Sequence, residues 1–299
     1  PLDGAVRFTS GTPGSMGTLA VAGFGTVSLT GANTFDAPVE VQKGTLELSG
    51  TGAALNVPTW TVSGGGTLWL DNLDGVAPGD GRIGNLAGIT LQGGNLALIG
   101  ATTAPVIEYV GAITLNAPSA LEGGANAIGV ANFSPLLPVT LQADSLIRNA
   151  GATVSFVGAG ANLDLATNTI KFDTAPTTLG GILPYATVGL DADLNSVPET
   201  VDLVSDIDPG AGFAVGAATY DASNVKVTTS TALSGAINAL LIVGTGITVD
   251  TTGGLTVGSG QIVSSAAVVG SASSNTISGG AVDFGAVEPL VFVERGATL

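Results

Sequence analysis

The chain has 299 residues, of which 46 are glycine, only 10% are charged and none is cysteine or histidine. The lack of Cys excludes a disulfide framework and thiolate chemistry, and the lack of His excludes a Ser-His-Asp triad, an imidazole base and His-ligated zinc. Seven basic residues against 23 acidic ones give a formal net charge of −16, which argues against nucleic acid and anionic membranes as partners.

The 45% hydrophobic content fits poorly with disorder. It also makes no membrane span, which needs roughly 18 consecutive apolar residues. The longest apolar runs, such as Ala239-Leu240-Leu241-Ile242-Val243, are strand-sized and stop at Gly244. No basic-apolar leader is visible and the chain opens at Pro1, so it reads as a processed product or a segment of something longer.

In chain order, short β-branched runs alternate with Gly, Asn, Asp and Pro. Thr26-Val27-Ser28-Leu29-Thr30 turns at Gly31-Ala32-Asn33, then Val39-Glu40-Val41-Gln42 and Thr45-Leu46-Glu47-Leu48-Ser49 follow. The pattern recurs at Trp60–Ser63, Gly66–Leu70, Ile89–Gln92, Asn95–Leu98, Ala112–Leu115, Thr153–Val157 and Thr169–Phe172. It continues at Val225–Thr228, Ile247–Asp250, Leu255–Val257 and Ala281–Phe284. No long amphipathic helix is predicted. Ser230 to Leu241 could form a short turn of helix, but strand or loop is the preferred reading.

Two all-β architectures suit this pattern, a sandwich and a right-handed parallel β-helix (β-solenoid), and three features favour the second. The runs Gly44-Thr45-Leu46-Glu47-Leu48, Gly66-Thr67-Leu68-Trp69-Leu70 and Gly94-Asn95-Leu96-Ala97-Leu98 repeat at spacings of 22 and 28 residues, with an echo at Gly254-Leu255-Thr256-Val257. Small residues suit a narrow coil interior, and Gly and Asn suit its corners. One continuous solenoid over residues 1–299 would have roughly 13 coils and a length of about 60 Å at a rise of about 4.8 Å per coil. From Asp191 to Pro209 the acids Asp191, Asp193, Glu199, Asp202, Asp206 and Asp208 occur without a base. A projecting loop or small subdomain is expected around residues 190–210, and a shorter loop from Asp71 to Arg82.

Residues 23–48 carry a resemblance. Gly25-Thr26-Val27-Ser28-Leu29-Thr30-Gly31-Ala32-Asn33-Thr34-Phe35, followed by Val39-Glu40-Val41-Gln42-Lys43-Gly44-Thr45-Leu46-Glu47-Leu48, resembles the autotransporter-associated β-strand repeat. Phe35 stands where that repeat usually has Tyr, and Asp36-Ala37-Pro38 where it has Thr-Gly-Gly. Gly81–Gly84, Ile89–Gly94, Glu108–Leu115, Ser145–Val154 and Asn168–Phe172 look like the stretch that follows the repeat in very large bacterial surface proteins. The resemblance implies a secreted parallel β-helix acting as scaffold, adhesin or fibre on the bacterial cell surface, and it brings no catalytic residues.

Both ends of the chain read as strand-like and apolar, at Val6-Arg7-Phe8 and Leu290-Val291-Phe292-Val293. Open strand edges of this kind favour joining, so Val6, Phe8, Leu290, Val291, Phe292 and Val293 are the candidate self-association residues, with copies of the same chain as partners. The acids Asp191, Asp193, Asp202, Asp206 and Asp208 could collect Ca²⁺ as hard oxygen ligands, but they lack an EF-hand or nonapeptide pattern; a solvated acidic loop without any cofactor is the plainer expectation. Polysaccharide-cleaving β-helices use paired carboxylates. Here Asn162-Leu163-Asp164 offers an amide where a second acid would be needed, so no enzyme is expected. The expected function is a structural subunit of an extracellular fibre or surface layer. The alternative is an adhesin or passenger stalk that binds glycans through aromatic residues among Trp60, Trp69, Tyr109, Tyr185 and Tyr220.

Overall fold

The computed structural model describes residues 17–75, 81–117, 125–134, 136–191, 200–266, 273–294 and 297–299. These residues form 29 strands and no helix. Val6, Phe8 and Asp193 lie outside the described residues.

The first fifteen strands are β1 (Leu19–Val21), β2 (Thr26–Leu29), β3 (Val39–Val41), β4 (Thr45–Leu48), β5 (Thr59–Ser63), β6 (Thr67–Asp71), β7 (Gly88–Gln92), β8 (Asn95–Ile99), β9 (Val106–Val110), β10 (Ile113–Asn116), β11 (Asn126–Ala131), β12 (Val139–Arg148), β13 (Val154–Ala159), β14 (Asn168–Thr174) and β15 (Ile182–Asp191). They pair in parallel ladders and not with their chain neighbours. One ladder runs β1–β3–β5–β7–β10–β12. A second runs β2–β4–β6–β8–β11–β13–β15, and a third runs β9–β12–β14. The arrangement is all-β, mostly parallel and solenoid-like.

The repeated Leu pattern sets the register. Leu46, Leu68, Leu96, Ile128, Phe156 and Val188 stand one above another in the second ladder. Leu48, Leu70, Leu98 and Val130 form the column beside them. All are buried. The sequence spacings of 22 and 28 residues are therefore the lengths of successive turns of chain. Strand alternation sends Thr45, Glu47, Thr67 and Trp69 to the opposite face. Gly44 and Gly94 open two of the motifs where only glycine fits. Gly44 has φ +68°, and a Cβ there would strike the Gly25 carbonyl oxygen; at Gly94 it would strike that of Val62.

Buried asparagines satisfy backbone groups at the corners. Asn126 accepts the Gly93 N–H at 2.7 Å and donates to the Thr153 and Asn116 carbonyls. Asn72 donates to the Ile99 carbonyl at 3.1 Å, and Asn168 to those of Ala159 and Ala161. Without these bonds the corners would hold unpaired buried polar groups.

The parallel ladders end in a hairpin, β16 (Thr200–Asp206) and β17 (Phe213–Ala217). β16 pairs antiparallel with β15 and with β17, and β17 pairs antiparallel with β14. The hairpin thus covers the free edges of β14 and β15 together, a standard way of blunting an edge. The acidic segment is divided here: Asp191 ends β15 and Asp202 and Asp206 belong to β16, while residues 192–199 lie outside the described residues.

The chain then builds a second stack from β18 (Asn224–Val227), β19 (Thr231–Ala232), β20 (Gly235–Ile237), β21 (Ala239–Val243), β22 (Thr248–Asp250), β23 (Leu255–Val257), β24 (Gln261–Ser265), β25 (Ser273–Ser274), β26 (Thr276–Ser278), β27 (Val282–Asp283), β28 (Leu290–Val293) and β29 (Ala297–Thr298). Ser230 to Leu241 is strand and connection, with no helix. Parallel ladders again run β18–β21–β24–β28, β19–β22–β26 and β20–β23–β27. The apolar run Ala239–Val243 is β21, and both its faces are covered, as an uninterrupted apolar strand requires. Leu240 and Ile242 face the second stack's own core with Val227 and Ile262. Leu241 and Val263 pack against Ile182 and Leu203. Gln261 also donates to the Ala186 carbonyl at 2.7 Å, and Asn224 and Asn238 donate to those of Gly180 and Leu179.

Phe156 fills its column and meets Phe172 edge-on at 6.1 Å between ring centroids. Phe156→Ala is expected to cost about 3–5 kcal/mol in denaturant unfolding. Ser155→Ala, one residue away on the outward face, is expected to stay within about 0.5 kcal/mol. Equal effects at the two positions would contradict the register.

Candidate functional site

The candidate self-association strand β28 is the last in its ladder and, among the described residues, is paired only with β24. Val291 stands in register beyond Val225, Leu240 and Ile262, and Val293 beyond Val227, Ile242 and Ser264. These two columns supply the inner face of the second stack, yet Val291 is 53% and Val293 44% exposed. Phe292 points the other way and packs against the cluster that joins the stack to the hairpin. At the same end, Ile277, Val282 and Phe284 are only partly buried against the core. Among the described residues the second stack therefore ends in an open apolar cross-section.

The acidic candidates are dispersed. Among the described residues no three His, Cys, Asp or Glu side chains converge to hold a metal ion. Asp202 accepts the Tyr220 hydroxyl and lies 3.5 Å from the Lys226 ammonium. Burial pushes its carboxyl above the usual range, with Lys226 opposing. Asp206 accepts the N–H groups of Asp208 and Ala214, both at 3.0 Å, and Asp208 lies 3.6 Å from Lys171. Asp191 is buried at the end of β15. Asp164 is a turn residue, accepting from Ala166 and Thr167.

The five Trp and Tyr residues differ in their exposure and partners. Trp60 and Trp69 lie on different strands, β5 and β6. Trp60 is wholly buried in the first ladder's column, its indole N–H without a hydrogen-bond partner among the described residues. Tyr185 is buried under the Arg148 guanidinium, 5.0 Å from its ring centre, and burial pushes its hydroxyl up to about 12. Tyr220 is held by Lys226 and Asp202. Trp69 and Tyr109 are the two with substantially exposed rings.

Trp69 forms one wall of a groove of about 390 Å³ along the outward face of the second ladder. In-register pairing sets Ala97, Gly129 and Val157 in line beyond Trp69, so the floor is made of small side chains. Phe133 and Asn95 also border it, Asp191 lies at one end, and among the described residues no Lys or Arg lines it. The Asn95 side chain donates to Thr67 Oγ1 at 3.3 Å.

The coil interior holds a polar cluster that the sequence analysis did not single out. Arg82 is completely buried. Its guanidinium donates to Asn72 at 3.1 Å and to the carbonyls of Gly52, Gly75 and Gly50 at 2.7, 2.8 and 3.3 Å. The Glu108 carboxylate accepts the Arg82 and Ile83 N–H groups at 2.9 and 3.0 Å. Burial raises the Glu108 carboxyl to about 7, opposed by those N–H bonds and by the Arg82 charge. The cluster ties three stretches of backbone together at a corner of the wall.

No family model, curated protein or solved structure matches the chain significantly.

In the unfolded chain Glu108 titrates near 4.5, while in the fold it does so near 7. Below about 4.5 both states carry the proton. As pH rises from 4.5 to 7, the unfolded chain gives it up first, so stability falls across that window and levels off above it. The 2.5-unit window corresponds to about 3 kcal/mol. Melting temperature measured against pH is expected to fall accordingly in the native protein, and more shallowly in Glu108→Gln.

Proposed function

We propose that this chain is a non-enzymatic structural subunit of a bacterial extracellular fibre or surface layer, built as a right-handed parallel β-helix that joins end to end with further copies of itself. The observation that carries the reading is the open end of the second stack. An apolar core column that runs out at half-exposed Val291 and Val293, on a strand with one edge unpaired among the described residues, is completed by another strand in register. Head-to-tail addition of this kind propagates without closing and yields filaments. The first stack's last edges, by contrast, are covered by the β16–β17 hairpin.

Right-handedness is the strong preference for parallel crossover connections. The resemblance of residues 23–48 to the autotransporter-associated repeat supports secretion and surface display, and those residues form β2, β3 and β4 in this fold. The scarcity of Lys and Arg leaves few sites for trypsin-like cleavage outside the cell. No metal or cofactor is part of the proposal.

Purified protein is expected to form filaments visible by negative-stain electron microscopy, with sedimentation that depends on concentration. Val291→Glu combined with Val293→Glu places two charges in the joint and is expected to leave folded monomers with a melting temperature near native. A native protein that stays strictly monomeric at high concentration would overturn the proposal.

A further inference from the structure

The groove beside Trp69 is separate from the open end and has no part in the assembly proposed above. Its length follows from the ladder. It reaches from Thr45 on β4 to Asp191 on β15, five strand spacings apart, or roughly 24 Å at about 4.8 Å each. That suits an elongated ligand lying along the stack.

The chemistry of the walls narrows the class. Trp69 and Phe133 are 39% and 43% exposed and offer π faces, which favour the C–H face of a sugar ring. The floor residues Ala97 and Gly129 leave a level bed. One outward column along the groove carries Thr45, Thr67 and Asn95 in register, so hydroxyl and amide groups recur once per strand. The described residues lining the groove include an acid, Asp191, and no base. Glu47 and Asp71 flank it in register, Glu47 directly beside Trp69 and Asp71 beside Ile99. An anionic ligand would meet these acids and find no counter-charge among the described lining residues.

A polypeptide is the other elongated candidate, and the ladder disfavours it. β6, β8, β11 and β13 are each hydrogen-bonded along both edges. The face therefore offers no free backbone for strand addition, the usual source of affinity for an extended peptide.

We propose that this groove is a binding site for a linear neutral glycan, with one sugar ring stacked on Trp69 and the following rings lying over Ala97 and Gly129.

The test is calorimetric titration of the whole chain with neutral hexasaccharides of glucan, xylan, mannan and chitin type, alongside hexagalacturonate and an uncharged threonine-rich peptide. At least one neutral hexasaccharide is expected to saturate at one per chain with a Kd below about 1 mM. Trp69→Ala removes the stacking face. Gly129→Leu fills the floor, and its Cβ meets only ordinary contacts, 3.6 Å from the Val157 carbonyl oxygen and 3.8 Å from its Cβ. Each is expected to weaken binding at least about tenfold, with melting temperature unchanged; Tyr109→Ala, whose exposed ring lies outside the groove, is expected to leave it unaltered. The proposal is overturned if no neutral glycan binds at millimolar concentration, if binding survives both groove variants, or if hexagalacturonate or the peptide binds in preference. Filament formation by the Trp69→Ala protein separates this outcome from the fate of the assembly proposal.

Discussion

Everything in this protein depends on one constraint: apolar side chains must stack directly above their counterparts on the next turn of chain. A single turn, such as β3 with β4, buries almost nothing alone, because its inward residues see only the interior of a narrow coil. Leu46 becomes core when Leu68 covers it, and Leu68 when Leu96 does. Stability in such an array is close to a sum over neighbouring turns. The same register that aligns leucines inside also aligns side chains outside. The groove is a by-product of that alignment, since the column holding Trp69 continues as Ala97 and Gly129.

A stack of turns ends in an edge, and the two stacks treat their last edges differently. The first stack changes direction: β16 and β17 run antiparallel and take up the edges of β15 and β14. Burial on both faces of β21 then fixes the second stack against that hairpin. Among the described residues its far end has no such cover, and Val291 and Val293 reach solvent there. Polar groups inside the wall obey a similar rule of completion. Arg82 is tolerable in the interior because Asn72 and three carbonyls take its donors, and Glu108 because two N–H groups face it.

Some of this could be read directly. The Gly-x-Leu-x-Leu runs gave both the alternation and the turn length, because in a ladder the repeat spacing is the register itself. The parity of Trp60 and Trp69 was also present: Trp69 alternates with Leu68 and Leu70, so it faces out, while Trp60 shares the face of Val62 and faces in. Glu108 was not recoverable this way. In Val106-Ile107-Glu108-Tyr109-Val110 the acid shares a face with the two valines and the other face is Ile107 and Tyr109, so polarity would send Glu108 outward, yet the structure turns it inward with Val106 and Val110. The β16–β17 hairpin was hidden for a different reason. Strand direction leaves little trace in a short run, and the acids between Asp191 and Asp208 read as a loop.

The sequence alone determined strand content, the parity of most strands, turn length where a motif repeats, and the chemistries excluded by the lack of His and Cys. These are local properties, fixed by side-chain alternation and by which residues exist. Tertiary structure alone decided which edges are covered and which stay open, which acids find a partner, and where outward columns line up to form a groove. Those depend on pairing between residues tens of positions apart, and a one-dimensional pattern carries no record of which strand lies beside which.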